Sequence, residues 1–471
     1  MGWWNGLVNP LLVEVLPALQ LEAADVVRHL DLAPGTALPS RLDVGSLAAG
    51  AVAAAGLAAR AVRGGDRVQV DPRQVAIAVS NDRRQTIDGM PGQAFAPHSG
   101  FFEAADGWVR THANYAHHRA RLLARLGLSP EADVRALAAA IADRPAQQLE
   151  DEITAAGGIA VWVRAPAEWA AGDQARAVRG HDLLSVRAVT SHRPVPVRDR
   201  PRVLDLTRVL AGPVATRTLA LVGCDVLRVD PPHLPEDDGT HLETDSGKRT
   251  TELDLRDPAA RRRFEDLLGE ADVLVTGYRP GALAAFGLDE ATLARRHPPL
   301  IVATLSAWTP SGPWGARRGF DSIVQAATGI AVIESPDGVR PGALPAQVLD
   351  HATGYLIAAG VLTAIRRRAV AGGTWRVSAH LARTAAWLLA RSPGEPEQDR
   401  IAPLALDDLA PYLVSTVTDH GTVVQSRPAL RLDGRFDTFA WVGRRRGADD
   451  AAWAGAITGG DDGTPPRAAR S

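Results

Sequence analysis

Apolar residues follow two different rhythms along the chain, and the rhythm changes near Val195. Before that point they recur at helical spacing. Residues 11–21 and 47–62 are apolar at that spacing and rich in good helix formers, with Pro34-Gly35 as punctuation between them. The pattern predicts a hairpin over residues 101–112, where Ala105-Asp106-Gly107 is a turn signal between short apolar runs. Amphipathic helices are expected at residues 117–128, 133–143 and 147–156. Pro194-Val195-Pro196 then reads as a linker, because two prolines in three residues resist both helix and central strand.

From Arg202 onward, short apolar runs alternate with helical segments. Residues 203–206, 226–229, 252–255, 273–275 and 300–305 are predicted strands. Between them lie predicted helices at 213–222, 259–268 and 288–296, the first two with a proline in the permitted first turn. Strands of four to six residues separated by helices imply a doubly wound, mainly parallel α/β sheet. Residues 354–368 form a further strong helix. Beyond Ser392, residues 413–417 and 422–425 suggest a small β addition, and the Gly- and Asp-rich tail from Gly459 to Ser471 is expected to be disordered. The expected organisation is a helix-rich smaller α+β domain over 1–195, a Rossmann-like sheet domain over 196–400, a β-containing segment over 401–458, and the tail over 459–471.

Length and composition narrow the setting without changing that picture. At 471 residues the chain is too long for one ordinary core. A formal charge of −2 gives no reason to expect nucleic acid or an anionic membrane as partner. The arginine clusters at 366–368 and 444–446 read as solvated ends of elements. Cys224 is alone, so an intrachain disulfide is excluded and a reducing compartment fits. Residues 47–62 carry Arg60 and read as too short to span a bilayer, and residues 1–6 lack the basic start of a secretory signal. A cytoplasmic protein with no membrane partner is the expectation.

The segment Asp205-Leu206-Thr207-Arg208-Val209-Leu210-Ala211-Gly212-Pro213 joins a strand to a helix. Its helix N-terminus offers unpaired N–H groups that suit a phosphate or carboxylate. A purely structural turn is the competing reading, since every doubly wound sheet has several. No G-x-G-x-x-G or Walker lysine pattern occurs, so nucleotide-driven chemistry is not indicated. His112, His117 and His118 lack the spacing of a metal site, and no metal is expected.

Ordered motifs over about 170 residues add a family resemblance. Leu210-Ala211-Gly212-Pro213, the run from Gly223 through Arg228 to Pro232, Gly247-Lys248-Arg249, Tyr278-Arg279-Pro280-Gly281, Gly319-Phe320-Asp321 through Ala326, and Asp350-His351-Ala352-Thr353-Gly354 resemble the family III CoA-transferases. The stretch from Phe101 to Trp108 and the arginine-rich helix after it are similar to that family's smaller domain, which normally follows the sheet domain. The order implies a permuted chain or a shortened first copy fused to a second.

The resemblance implies coenzyme A or acyl-CoA as substrate, a carboxylic acid as the second partner, no tightly bound cofactor, and a homodimer. It places Val209, Leu210, Ala211, Gly212 and Pro213 along CoA, with Arg228, Tyr278 and Arg279 helping to hold it. Transfer needs a carboxylate that attacks the acyl carbonyl and passes through covalent intermediates. Asp350 stands at the family's matching position; a helix cap is its structural alternative, and Asp337, in Pro336-Asp337-Gly338, is the second candidate acid.

The related racemases pair that aspartate with the histidine of a Gly-His-Asp motif, which here reads Gly319-Phe320-Asp321. An acyl-CoA isomerase using Asp350 as base is therefore the weaker alternative. A CoA-binding protein without turnover is the third, because Ala284-Ala285-Phe286 lacks the basic residue often found there and no copy of the family's glycine loop is evident.

Overall fold

The computed structural model describes residues 9–92, 95–236, 238–391, 406–436 and 438–455. The expected disordered tail lies outside the described residues. Seven strands form the central sheet: β1 (Ser185–Thr190), β2 (Arg202–Leu206), β3 (Asp225–Asp230), β4 (Arg249–Glu252), β5 (Val273–Thr276), β6 (Ile301–Ser306) and β7 (Thr374–His380). Their order is β4-β3-β2-β5-β6-β7-β1, parallel throughout except for the antiparallel edge pair β7–β1. Strand order reverses between β2 and β5, and ligands of open α/β sheets settle at the carboxyl ends of strands at such a point.

Alternation along the strands assigns each side chain to one of two layers. Val203, Val273, Val275, Ile301 and Ala303 face one core, whereas Leu204, Leu274 and Val302 face the other. Four helices matter for the site: α1 (Val44–Arg63), α2 (Ala211–Leu221), α3 (Asp321–Thr328) and α4 (Val348–Ala371). The helix α4 is apolar on every side because α1, α2 and the sheet enclose it. At 20 residues α1 is long and apolar enough to cross a membrane by length and composition, contrary to the expectation that this stretch is too short. Its alanine face packs instead in the same core as α4.

The N-terminal 195 residues, expected as one unit, divide between two cores. Residues 10–79 contribute to the main core with the sheet helices, and β1 joins the sheet itself. Only the middle portion has a core of its own, built on the strands Phe101–Ala104, Gly107–Thr111 and Ala160–Trp162 with Leu122, Leu137, Leu149 and Ile153 beneath them. The C-terminal segment is interleaved with the N-terminal one: Gly421–Ser426 pairs with Thr86–Ile87, and Arg431–Leu432 with Val68–Val70. Long helix, Gly-Gly, strand and helix occur in succession twice. The first instance is α1, Gly64-Gly65, Val68–Val70 and Pro72–Val79; the second is α4, Gly372-Gly373, β7 and Leu381–Leu389.

Candidate functional site

The turn after β2 is shaped by buried polar contacts. Asp205, fully buried, accepts hydrogen bonds from the Thr207 amide at 2.9 Å and the Thr207 and Thr216 hydroxyls at 2.5 Å. Val209 then adopts φ +71°, a left-handed conformation that a β-branched residue rarely takes. Its amide donates to Glu236 Oε1 at 2.8 Å, which secures the conformation. A Cβ on Gly212 would lie 2.3 Å from the Thr207 Cβ, and one on Gly354 would lie 2.4 Å from the Ala211 carbonyl oxygen. The two glycines therefore let the turn, α2 and α4 approach closely. Of the five residues expected along CoA, Val209 and Leu210 line a cavity. Ala211, Gly212 and Pro213 are buried in the first turn of α2.

Behind the turn lies a buried ionic cluster that accounts for Arg228. This residue was expected to face CoA, but it has no exposed surface. Its guanidinium contacts Asp230 and Asp245 at 2.9 Å each and Glu236 as well. Lys248, the chain's sole lysine, lies between Asp205 at 3.0 Å and Asp245 at 3.3 Å. Although burial opposes ionisation, Arg228 and Lys248 hold Asp245 well below the usual carboxylate range. Glu236 is likewise held down by Arg228 and Arg208 against its burial. The charge of Arg228 is thus committed to three carboxylates, and its role is to brace the Val209 turn through Glu236.

Asp350 lies in the first turn of α4 and lines the same cavity of about 470 Å³ as Val209 and Leu210. It is 6% exposed. Asp321 caps the helix in its place, accepting the Asp350 amide at 3.0 Å and, through its other oxygen, Gln325 Nε2 at 2.5 Å. Burial pushes the Asp321 carboxyl up to about 6. Burial, then the charge of Asp321, raises Asp350 well above its ordinary value. A carboxyl group with no hydrogen-bond donor of its own to stabilise its charge, facing a cavity, has the chemistry of a nucleophile or base awaiting a ligand.

The smaller domain closes this cavity from the other side. His112 stacks on Phe320 with ring centroids 3.8 Å apart. It is 4% exposed, and neither ring nitrogen has a hydrogen-bond partner. Burial, followed by the charges of Arg110 and His118, pushes its pKa down to about 3, so the ring is neutral. Asp82, Glu236 and Glu243 complete an acidic wall. Sequence reasoning weighed His112 only as a metal ligand and passed over the three acids, which come from distant segments without a shared motif.

The remaining candidates lie elsewhere. Asp337 sits on an exposed turn, where its carboxylate accepts the Val339 and Arg340 amides and pairs with the Arg340 side chain at 2.8 Å. Those contacts lower its pKa and give it a turn-forming role outside the cavity. Tyr278 and Arg279 line a second cavity of about 460 Å³, together with Arg376 and His380, and neither reaches the wall around Asp350. Tyr278 follows Gly277, whose amide donates to Leu206 at 3.4 Å, so this loop flanks the β2 turn at the point where strand order reverses.

Comparison with known proteins agrees with the motifs. Residues 199–413 match the model of CoA-transferase family III. An acyl-CoA transferase of Gibberella moniliformis is 30% identical over 311 residues, which cover 59% of this chain and 54% of that protein. The probable fatty acyl-CoA transferase Rv3272 of Mycobacterium tuberculosis is 33% identical over 189 residues, 37% of this chain and 48% of that one. Its crystal structure aligns with 42% of this chain and 59% of its own at a TM-score of 0.38. The human succinyl-CoA:glutarate CoA-transferase is 33% identical over 200 residues, 39% of this chain and 45% of that protein. The chain spans about half the length of these relatives. The segment 199–413, which carries the β2 turn and Asp350, is thus similar to CoA-transferase family III.

Proposed function

We propose that the chain transfers CoA from an acyl-CoA to a carboxylic acid, with Asp350 as the covalent nucleophile. The observation that carries this reading is the position of Asp350 on the cavity walled by the Val209 turn. A carboxylate oxygen of Asp350 attacks the thioester carbonyl, and the CoA thiolate leaves, giving a mixed anhydride. The thiolate then attacks the aspartyl carbonyl, releasing the first acid and leaving an aspartyl-CoA thioester. The second acid attacks that thioester and displaces the thiolate again. Return of the thiolate to the new acyl carbon yields the new acyl-CoA and restores Asp350. Burial favours the protonated form of Asp350, which is not nucleophilic, so kcat/KM rises with pH as that proton is lost.

Arg228 takes no part in CoA binding in this reading, and Tyr278 and Arg279 are left to meet the distant portion of CoA. A cytoplasmic protein acting as a homodimer accords with the family. Proton exchange at the α-carbon is the second reading, favoured by the raised Asp350 and by the neutral His112 on the same cavity.

Mass spectrometry after incubation with a panel of acyl-CoAs separates the readings. Transfer gives an adduct on Asp350 that hydroxylamine traps, absent in Asp350→Ala and retained in Asp337→Ala. Deuterium uptake without an adduct would establish proton exchange instead, and binding with neither would leave a non-catalytic CoA protein.

A further inference from the structure

The charge and hydrogen bonding of the Asp350 cavity restrict the acid it accepts. Four carboxyl groups line it, from Asp82, Glu236, Glu243 and Asp350, and among the described residues no lysine or arginine does. The cations close by are committed elsewhere. Arg208 and Arg228 pair with Glu236, and Arg217 donates to the Glu243 carbonyl at 2.8 Å and stands 3.6 Å from its carboxylate. Arg110 stacks on the Phe95 and Phe101 rings at 5.0 and 4.8 Å and does not line the cavity. A ligand with a second carboxylate would therefore find no free cation on this wall to pair with.

The wall is nevertheless incomplete as a hydrogen-bonding surface. Both ring nitrogens of His112 are buried without a partner, and so is Asp82 Oδ1. A buried polar group left unpaired is costly, and a purely aliphatic ligand would leave these groups unpaired. A neutral imidazole offers one N–H donor and one acceptor, which suits a hydroxyl group.

Resting on the transferase reading of Asp350, we propose that the acid exchanged here carries a single carboxylate and a hydroxyl on its carbon chain. His112 binds that hydroxyl, and the acidic wall rejects dicarboxylic acids. The test measures transfer from acetyl-CoA to 3-hydroxybutyrate, butyrate and succinate, beside direct binding of 3-hydroxybutyryl-CoA and succinyl-CoA. We expect kcat/KM for 3-hydroxybutyrate to exceed that for butyrate by about tenfold, the scale of one hydrogen bond. It should exceed that for succinate by about a hundredfold or more. His112→Phe, which keeps a ring against Phe320, should collapse the first ratio, and Asp82→Asn should narrow the second.

Succinate used as well as 3-hydroxybutyrate, or a first ratio unchanged in His112→Phe, would overturn the proposal. Should no acyl-CoA turn over, the transferase reading fails on its own, and selectivity is read from binding. Tighter binding of 3-hydroxybutyryl-CoA, lost in His112→Phe, upholds the assignment there. Equal affinity, or no binding of either thioester, refutes it.

Discussion

Replacing Arg228 with methionine separates a bracing role from a ligand-binding one. The side chain has no exposed surface and meets Asp230, Glu236 and Asp245 at once. Methionine fills much of the volume but leaves these buried acids short of a counterion. Removing one partner of a buried ion pair typically costs about 3–5 kcal/mol. Lys248, 3.3 Å from Asp245, and Arg208, 3.6 Å from Glu236, remain to absorb part of the imbalance, which keeps the expected loss within that range. Set against a typical stability of about 5–15 kcal/mol, such a loss is severe. Guanidinium denaturation at pH 7 should show it directly. The sign with pH is also fixed: Asp245 is held below its ordinary value in the folded protein, so its contribution is present above the unfolded carboxylate pKa near 4 and is lost as pH falls further. The difference between wild type and Arg228→Met should therefore shrink toward acid. A variant within about 1 kcal/mol of wild type, with weakened CoA binding, would refute the reasoning and return Arg228 to the ligand.

Other consequences follow from single contacts. Gly354→Ala should cost about 1–3 kcal/mol, read as a fall in Tm, because its methyl meets the Ala211 carbonyl oxygen at 2.4 Å between two buried helices. Folding favours the protonated form of Asp321, raised to about 6 by burial, so stability from this group is complete below pH 4 and lost as pH rises through 6. Asp321→Asn should remove that part of the decline in denaturation series between pH 4 and 6, and an unchanged slope would contradict the assignment. Burial pushes the Cys224 thiol up to about 12, so Ellman's reagent should react with it only after unfolding. Asp43 caps α1 through the Ser46 amide at 3.1 Å; Asp43→Ala should lower stability by about 1 kcal/mol, and adduct mapping should find no acyl group on Asp43.

Much of the sheet was legible because a parallel strand buried on both faces must be apolar along its length, as the runs at Val203, Val226, Val273 and Ile301 are. Asp350 was singled out by its motif, Asp350-His351-Ala352-Thr353-Gly354, and its local position at a helix start left a structural cap as the alternative. The strand β1 was missed, since it lies on the edge and leaves Arg187 and Ala188 exposed, which blurs its alternation. The separation of residues 10–79 from the middle portion was also hidden, because a helical period reveals which face is buried but not what buries it. Arg228 was expected to help hold CoA, but carboxylates from residues 230, 236 and 245 fold around it. The sequence alone determined the layers, a product of local pattern, and marked Asp350 as a candidate through its motif. The tertiary structure decided which charges are spent on one another and which groups face the cavity, because ion pairing and burial depend on distances between segments that no local period encodes.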